Sequence, residues 1–136
     1  MTDSQRDAFL AERRYGILTT LRANGAPVSL PVWYEWDGAT LWMFCHEASG
    51  KLKRLERDAR ATVLVVNHPG EPENWVAFDG RITARDEGGL QFAERVFDRY
   101  YPLPDERRSV IESWRKMKNE WRLLELRPDS IRIHEE

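Results

Sequence analysis

Along the first half of the chain, short apolar runs are separated by polar turns that contain glycine. Gly16-Ile17-Leu18-Thr19-Thr20-Leu21 is β-rich and stops at Arg22-Ala23-Asn24-Gly25, whose Asn-Gly pair is a strong hairpin signal. The pattern predicts one strand over Gly16–Leu21, a second over Val28–Trp36, a turn at Asp37-Gly38 and a third over Ala39–Cys45. Together these make a β-meander of local antiparallel pairs. Ala61–Val66 is nearly all apolar and β-branched, which predicts a strand buried on both faces. Trp75–Arg85 alternates as a long strand, with Gly80 marking a bulge or bend. Trp121–Leu126 and Ser130–Ile133 close the chain as two strands on either side of Pro128.

Helical spacing appears in three places. Ala8-Phe9-Leu10-Ala11 follows Asp3 and Ser4, either of which suits an N-cap. Leu52 and Leu55 are three apart amid charges, which predicts a short helix within Glu47–Arg57. Glu87–Asn119 reads as two helices parted at Pro102-Leu103-Pro104-Asp105. The first sets Leu90, Ala93, Val96, Phe97 and Tyr100 on one face; the second starts from an Asp105 cap and carries Val110, Trp114 and Met117. Six or so antiparallel strands with late helices predict a mainly β fold with α decoration, a small barrel. The chain of 136 residues suits a single domain over 1–136.

Composition narrows the function. The apolar fraction is 41%, with six Trp, five Phe and four Tyr, well above a disordered chain. A net charge of −2 lacks the positive field that non-specific nucleic-acid binding requires. Cys45 is the one cysteine, so no intrachain disulfide and no multi-cysteine metal site can form. His46, His68 and His134 are scattered, and no metal site is expected from them. No apolar run approaches the ~20 residues of a membrane span, and Met1–Arg14 is too charged for a signal peptide. The expectation is a soluble, cytoplasmic protein. Motifs of the Walker, Rossmann, nucleophile-elbow and zinc-protease types are missing.

The segment Cys45-His46-Glu47-Ala48-Ser49-Gly50-Lys51, followed by Lys53, Arg54, Arg57 and Arg60, stands where a strand ends and a helix begins. A hydroxyl two residues before a lysine at a helix N-terminus offers an oxyanion a donor, a charge and free backbone N–H groups. The same residues also serve a simpler purpose, with Ser49 as an N-cap and the basic residues as a solvated helix face. Aromatics on barrel strands, here Trp33, Trp36, Trp42 and Trp75, ordinarily belong to a core or a subunit interface.

Taken in order, Tyr15-Gly16-Ile17-Leu18-Thr19-Thr20-Leu21, Asn24-Gly25-Ala26-Pro27-Val28, Pro31-Val32-Trp33-Tyr34, Asp37-Gly38 and Ser49-x-Lys51-x-x-x-Leu55-x-x-Asp58 resemble the pyridoxamine-phosphate-oxidase-like family. More narrowly, the chain is similar to the flavin/deazaflavin oxidoreductases of the FMN-binding split-barrel fold, over about Phe9–Thr83. The resemblance implies a homodimer holding FMN or the deazaflavin coenzyme F420 in a groove where two barrels meet. It places the backbone of Pro31, Val32, Trp33 and Tyr34 along the isoalloxazine ring and Phe44 and Cys45 beside the phosphoribityl chain, with His46 next to them among the cofactor-binding residues. Ser49 and Lys51 match the family's phosphate-binding serine and lysine. Gly50 and Ser29 stand where the family's FMN-binding oxidases have phosphate arginines. Those departures argue against vitamin B6 oxidase activity and for weaker FMN binding.

The implied chemistry is hydride transfer between the bound cofactor and a small organic substrate, with no catalytic residue assigned. F420 is favoured slightly by the branch resemblance, the missing arginines and the basic run Lys53, Arg54, Arg57. The alternative is a non-catalytic split barrel that holds a flavin, haem or tetrapyrrole, with His46 as the coordinating residue. A third possibility is a cofactor-free dimer whose groove is filled by tryptophan.

Overall fold

The structure, a computed structural model, describes residues 1–101 and 104–136. The chain runs α1 (Asp3–Ala11), β1 (Gly16–Leu21), β2 (Pro27–Val32), β3 (Glu35–Trp36), β4 (Leu41–His46), α2 (Gly50–Arg57) and β5 (Arg60–Val66). It continues through β6 (Trp75–Arg85), α3 (Gly89–Tyr100), α4 (Pro104–Lys116) and β7 (Trp121–His134). Among the described residues, no helix is long and apolar enough to cross a membrane.

The strands form one antiparallel sheet in the order β2-β1-β5-β6-β7-β4-β3. Its two edges are consecutive in sequence, because only Trp33 and Tyr34 separate β2 from β3. Laid flat, six inter-strand gaps of about 4.8 Å would hold the edges about 29 Å apart. The chain from Val32 to Glu35 reaches about 10 Å at most. The sheet must therefore curl until its edges nearly meet, and Trp33-Tyr34 crosses the split.

That crossing corrects two expectations. The strand expected over Val28–Trp36 is broken in two, and the third strand pairs with β3 and β7 rather than continuing a meander from β2. The ends of the chain depart from expectation as well. Thr2 rather than Asp3 or Ser4 caps α1, accepting from the Gln5 N–H while Gln5 reaches back to the Thr2 N–H. α4 begins at Pro104, so Asp105 lies inside the helix and not at its cap, and Met117 falls beyond its end. Of the expected break at Pro102-Leu103-Pro104-Asp105, the first two residues lie outside the described residues.

β7 is one strand through Pro128, where two strands separated by a break were expected. Pro128 sits opposite Gly80 at the register shift between Asp79 and Gly80. A proline has no N–H to give the ladder, and a bulge is where that loss is tolerated. A Cβ at Gly80 would come within 3.0 Å of the Arg127 carbonyl oxygen, so the bulge that the sequence announced also demands its glycine.

Leu18, Met43, Val63, Val65, Phe78 and Leu126 fill the curled interior, joined by Phe9 and Leu10 of α1 and Leu52 and Leu55 of α2. β5 alternates between buried and half-buried residues, so it is covered on one face and not on both. On β4 the alternation serves two cores. Leu41, Met43 and Cys45 face the barrel interior, while Trp42 and Phe44 pack with Phe92, Val96 and Tyr100 of α3. Phe92, rather than half-buried Leu90, completes the apolar face of α3.

Candidate functional site

β2 delivers Pro31 and Val32 to one sheet edge, and the crossing adds Trp33. β4 ends at His46, and a short turn leads to Ser49 and α2. These pieces lie together, as the order of the sheet requires. Pro31, Val32, Trp33, Phe44, Cys45, His46, Ser49 and Lys51 all line one open groove of about 470 Å³. Tyr15, Trp114 and Trp121 complete its wall, and no local pattern marks them as site residues. The pairing of Trp121 with His46 across β4 and β7 carries Trp121 to the site. Trp114 reaches the groove from α4, with its ring 5.0 Å from that of Trp121 and 5.7 Å from that of Phe44.

Ser49 is an N-cap: its Oγ accepts from the Lys51 N–H at 3.3 Å. A hydroxyl both accepts and donates, so its proton stays available to a ligand. No acidic residue occupies the first turn of α2. Lys51 is half-buried, and among the described residues no carboxylate pairs with it. Burial lowers the pKa of Lys51, and Arg54 adds to the effect. Burial likewise raises the pKa of the Cys45 thiol, with the Lys51 charge opposing. The helix start thus presents a hydroxyl proton, backbone N–H groups and an unpaired ammonium to the groove, which is a setting for an anion.

His46 is fully engaged. Its Nδ1 accepts from the Ala48 N–H at 3.1 Å, and its Nε2 lies 3.2 Å from the Glu120 carboxylate. An accepting Nδ1 makes Nε2 the protonated nitrogen that donates to Glu120. Ser29 lies on exposed β2 beyond the groove lining, with its Oγ 2.7 Å from the Thr19 hydroxyl. Lys53 and Arg57 stand exposed on α2, and Arg57 donates to the Leu21 carbonyl at 3.4 Å. Trp36, Trp42 and Trp75 are also outside the groove lining. Trp36 packs on Phe78 and donates to Asp7, Trp42 donates to Asp37, and Trp75 stacks on His134.

The donor set fits a planar heteroaromatic ring that carries a phosphate. Trp33, Phe44 and Trp121 offer apolar faces, while Ser49 and Lys51 offer a donor and a charge at the neighbouring end.

Comparison with known proteins gives the chain its family. The chain is 31% identical over 111 residues to an F420H(2)-dependent biliverdin reductase of Mycobacterium tuberculosis, covering 77% of each protein. A conserved hypothetical protein of M. tuberculosis shares its fold with a TM-score of 0.78 at 24% identity, covering 99% of this chain and 85% of that one. A structure described as an F420 reductase superposes with a TM-score of 0.74 at 20% identity, covering 93% of this chain and 94% of the other. The family model described as pyridoxamine 5'-phosphate oxidase matches residues 2–134. This split-barrel chain belongs to the pyridoxamine 5'-phosphate oxidase family.

Proposed function

We propose that the protein is an oxidoreductase that transfers a hydride between a bound deazaflavin or flavin, F420 or FMN, and a small organic substrate. The observation that carries this reading is the unpaired, half-buried Lys51 beside a strip of aromatic side chains in one groove. The resemblance to an F420H(2)-dependent reductase favours F420 over FMN. Glycine at position 50 and serine at 29 point the same way, since neither brings a charge to an FMN phosphate.

When bound, the cofactor supplies the hydride chemistry itself, and solvent supplies the balancing proton. The chain's own work is binding, orientation and exclusion of water. The backbone from Pro31 to Trp33 backs the ring, and Ser49 and Lys51 hold the phosphate. Phe44, Trp114 and Trp121 dry the wall and offer flat surfaces to a planar conjugated substrate. Haem ligation by His46 is not favoured, because both imidazole nitrogens already have partners.

The outer face of the barrel supports a homodimer. On the β4 and β7 side this face is covered by α3, through Phe44 and Leu123. On the other side Pro31, Ile17, Leu64 and Ala77 form one row across β2, β1, β5 and β6, next to the pair Val66 and Trp75. Val66 is 40% exposed, Pro31 is exposed and Ile17 and Leu64 are half-buried, while Ala77 at the far end of the row is already buried. The row begins at Pro31, so a second copy seated there would also wall the groove.

Titration of the purified protein with F420 and with FMN, followed by tryptophan fluorescence and absorbance, tests the reading. Binding of at least one, and oxidation of the reduced form by a conjugated acceptor, is the expected result. Absence of binding by both would overturn it.

A further inference from the structure

We infer that Arg54 is the second cation of the phosphate site, aimed by Thr20 and admitted by the missing side chain of Gly50. The inference rests on the reading of the groove as a phosphate-bearing cofactor site.

Arg54 lies four residues beyond Gly50 on α2, which puts the two on one helix face. Its Nε donates to the Thr20 hydroxyl at 2.8 Å, and Thr20 is only 1% exposed on β1. That bond fixes the plane of the guanidinium and uses one of its five N–H groups. Among the described residues, no carboxylate forms an ion pair with Arg54.

The free end of the fork folds back over the start of the helix. A Cβ at position 50 would stand 3.2 Å from the Arg54 Nη1, so a side chain there would press on the guanidinium and shift it by a few tenths of an ångström. Glycine leaves room for the Arg54 fork beside the position between the capping Ser49 and Lys51, although Arg54 is not itself among the residues lining the groove. Arg54 is close enough to act on the Lys51 ammonium electrostatically. Two like charges gathered without an acid repel one another, and a bound dianion would relieve that repulsion. A guanidinium also meets two phosphate oxygens at once, which a lysine cannot do.

The test uses probes that differ only by the phosphate-bearing tail: FMN against riboflavin, and F420 against its phosphate-free deazaflavin. In the wild type the phosphate-bearing partner should bind more tightly in at least one pair. Arg54→Ala should narrow that gap about tenfold and leave riboflavin or the phosphate-free deazaflavin unchanged. Arg54→Gln keeps a donor for Thr20 without the charge, so it should narrow the gap similarly with an unaltered melting temperature. Moving the arginine one turn back, in the double variant Gly50→Arg with Arg54→Ala, should restore most of the gap. A gap that is intact in both Arg54 variants but narrowed by Lys51→Ala would overturn the role of Arg54 and spare the phosphate site. A gap untouched by Lys51→Ala as well would overturn the phosphate site itself.

Discussion

The ring of Trp33 lies flat against that of Tyr100, with centroids 5.3 Å apart and planes inclined by only 7°. Trp33 belongs to the two-residue crossing between the sheet edges, and Tyr100 is the last residue of α3. The Tyr100 hydroxyl donates to the Arg14 carbonyl and accepts from the Tyr34 N–H at 3.4 Å. One side chain thus ties α3 to the crossing and to the residue before Tyr15 at the groove mouth. The crossing that lines the groove is held from behind by a helix far away in sequence.

Tyr100→Phe keeps the stacked ring and removes the hydroxyl. Two buried backbone groups then lose a partner, at a cost of about 1–2 kcal/mol. In a domain of this size that lowers Tm by roughly 3–8 °C. Thermal unfolding checks this, and an unchanged Tm would mean that the hydroxyl does not latch the crossing.

A second tie gives a pH signature. Asp79 on β6 accepts from Arg132 at 2.6 Å, Thr62 at 2.7 Å and Ser130 at 3.1 Å. Chiefly through the Arg132 hydrogen bond, its pKa falls to about 2. A carboxylate with a depressed folded-state pKa stabilises the fold above its unfolded value of about 3.9, and that contribution vanishes as pH falls towards 2. Asp79→Asn should therefore lower Tm at pH 7 and flatten its decline between about pH 4 and pH 2. Tm measured across that range for both proteins decides it.

Local pattern carried much of the fold. β1 and β6 fall where alternation and turn residues put them, and the Gly80 bulge was visible as a glycine inside a strand. The break at Trp33-Tyr34 was not visible. It comes from closing the sheet: Pro31 marks an edge strand, but no turn residue stands at Trp33-Tyr34 to announce the break. Pro128 misled for a related reason: its neighbour across the sheet, Gly80, is what makes it tolerable. For the groove, the eight candidate residues from Pro31 to Lys51 line it, while Tyr34, Ser29 and Gly50, which the family resemblance also marks, lie outside its lining. Trp114 and Trp121 carry no local signal of the site, because they meet it only through packing between the late helix and the last strand.

In the proposed dimer, the half-buried row on β1 and β5 makes the oligomeric state depend on one side chain. Leu64→Glu puts a charge at the centre of the row, where a second copy would bury it at a cost of several kcal/mol. Light scattering at micromolar concentration should show a dimer for the wild type and a monomer for the variant. A wild-type monomer would remove the dimer, and with it a groove walled by two copies.

Lys51 should also mark the pH dependence of binding. Burial lowers its pKa from the ordinary 10.5. A neutral lysine gives no charge to a phosphate, so affinity should fall as pH rises through that lowered value. The alkaline decline should begin earlier than for an exposed lysine and be absent in Lys51→Ala. A dissociation constant measured from pH 7 to 10 for both proteins reports it.

The most direct test of the account is the affinity of Lys51→Ala for F420 and FMN, read by fluorescence titration at one ionic strength. A charge-assisted bond of about 1.5–3 kcal/mol lies between Lys51 and the cofactor phosphate in this account. The variant should therefore bind about ten- to a hundredfold more weakly than the wild type, with its cofactor-free Tm unchanged. Lys51→Ala binding both cofactors as tightly as the wild type would contradict it.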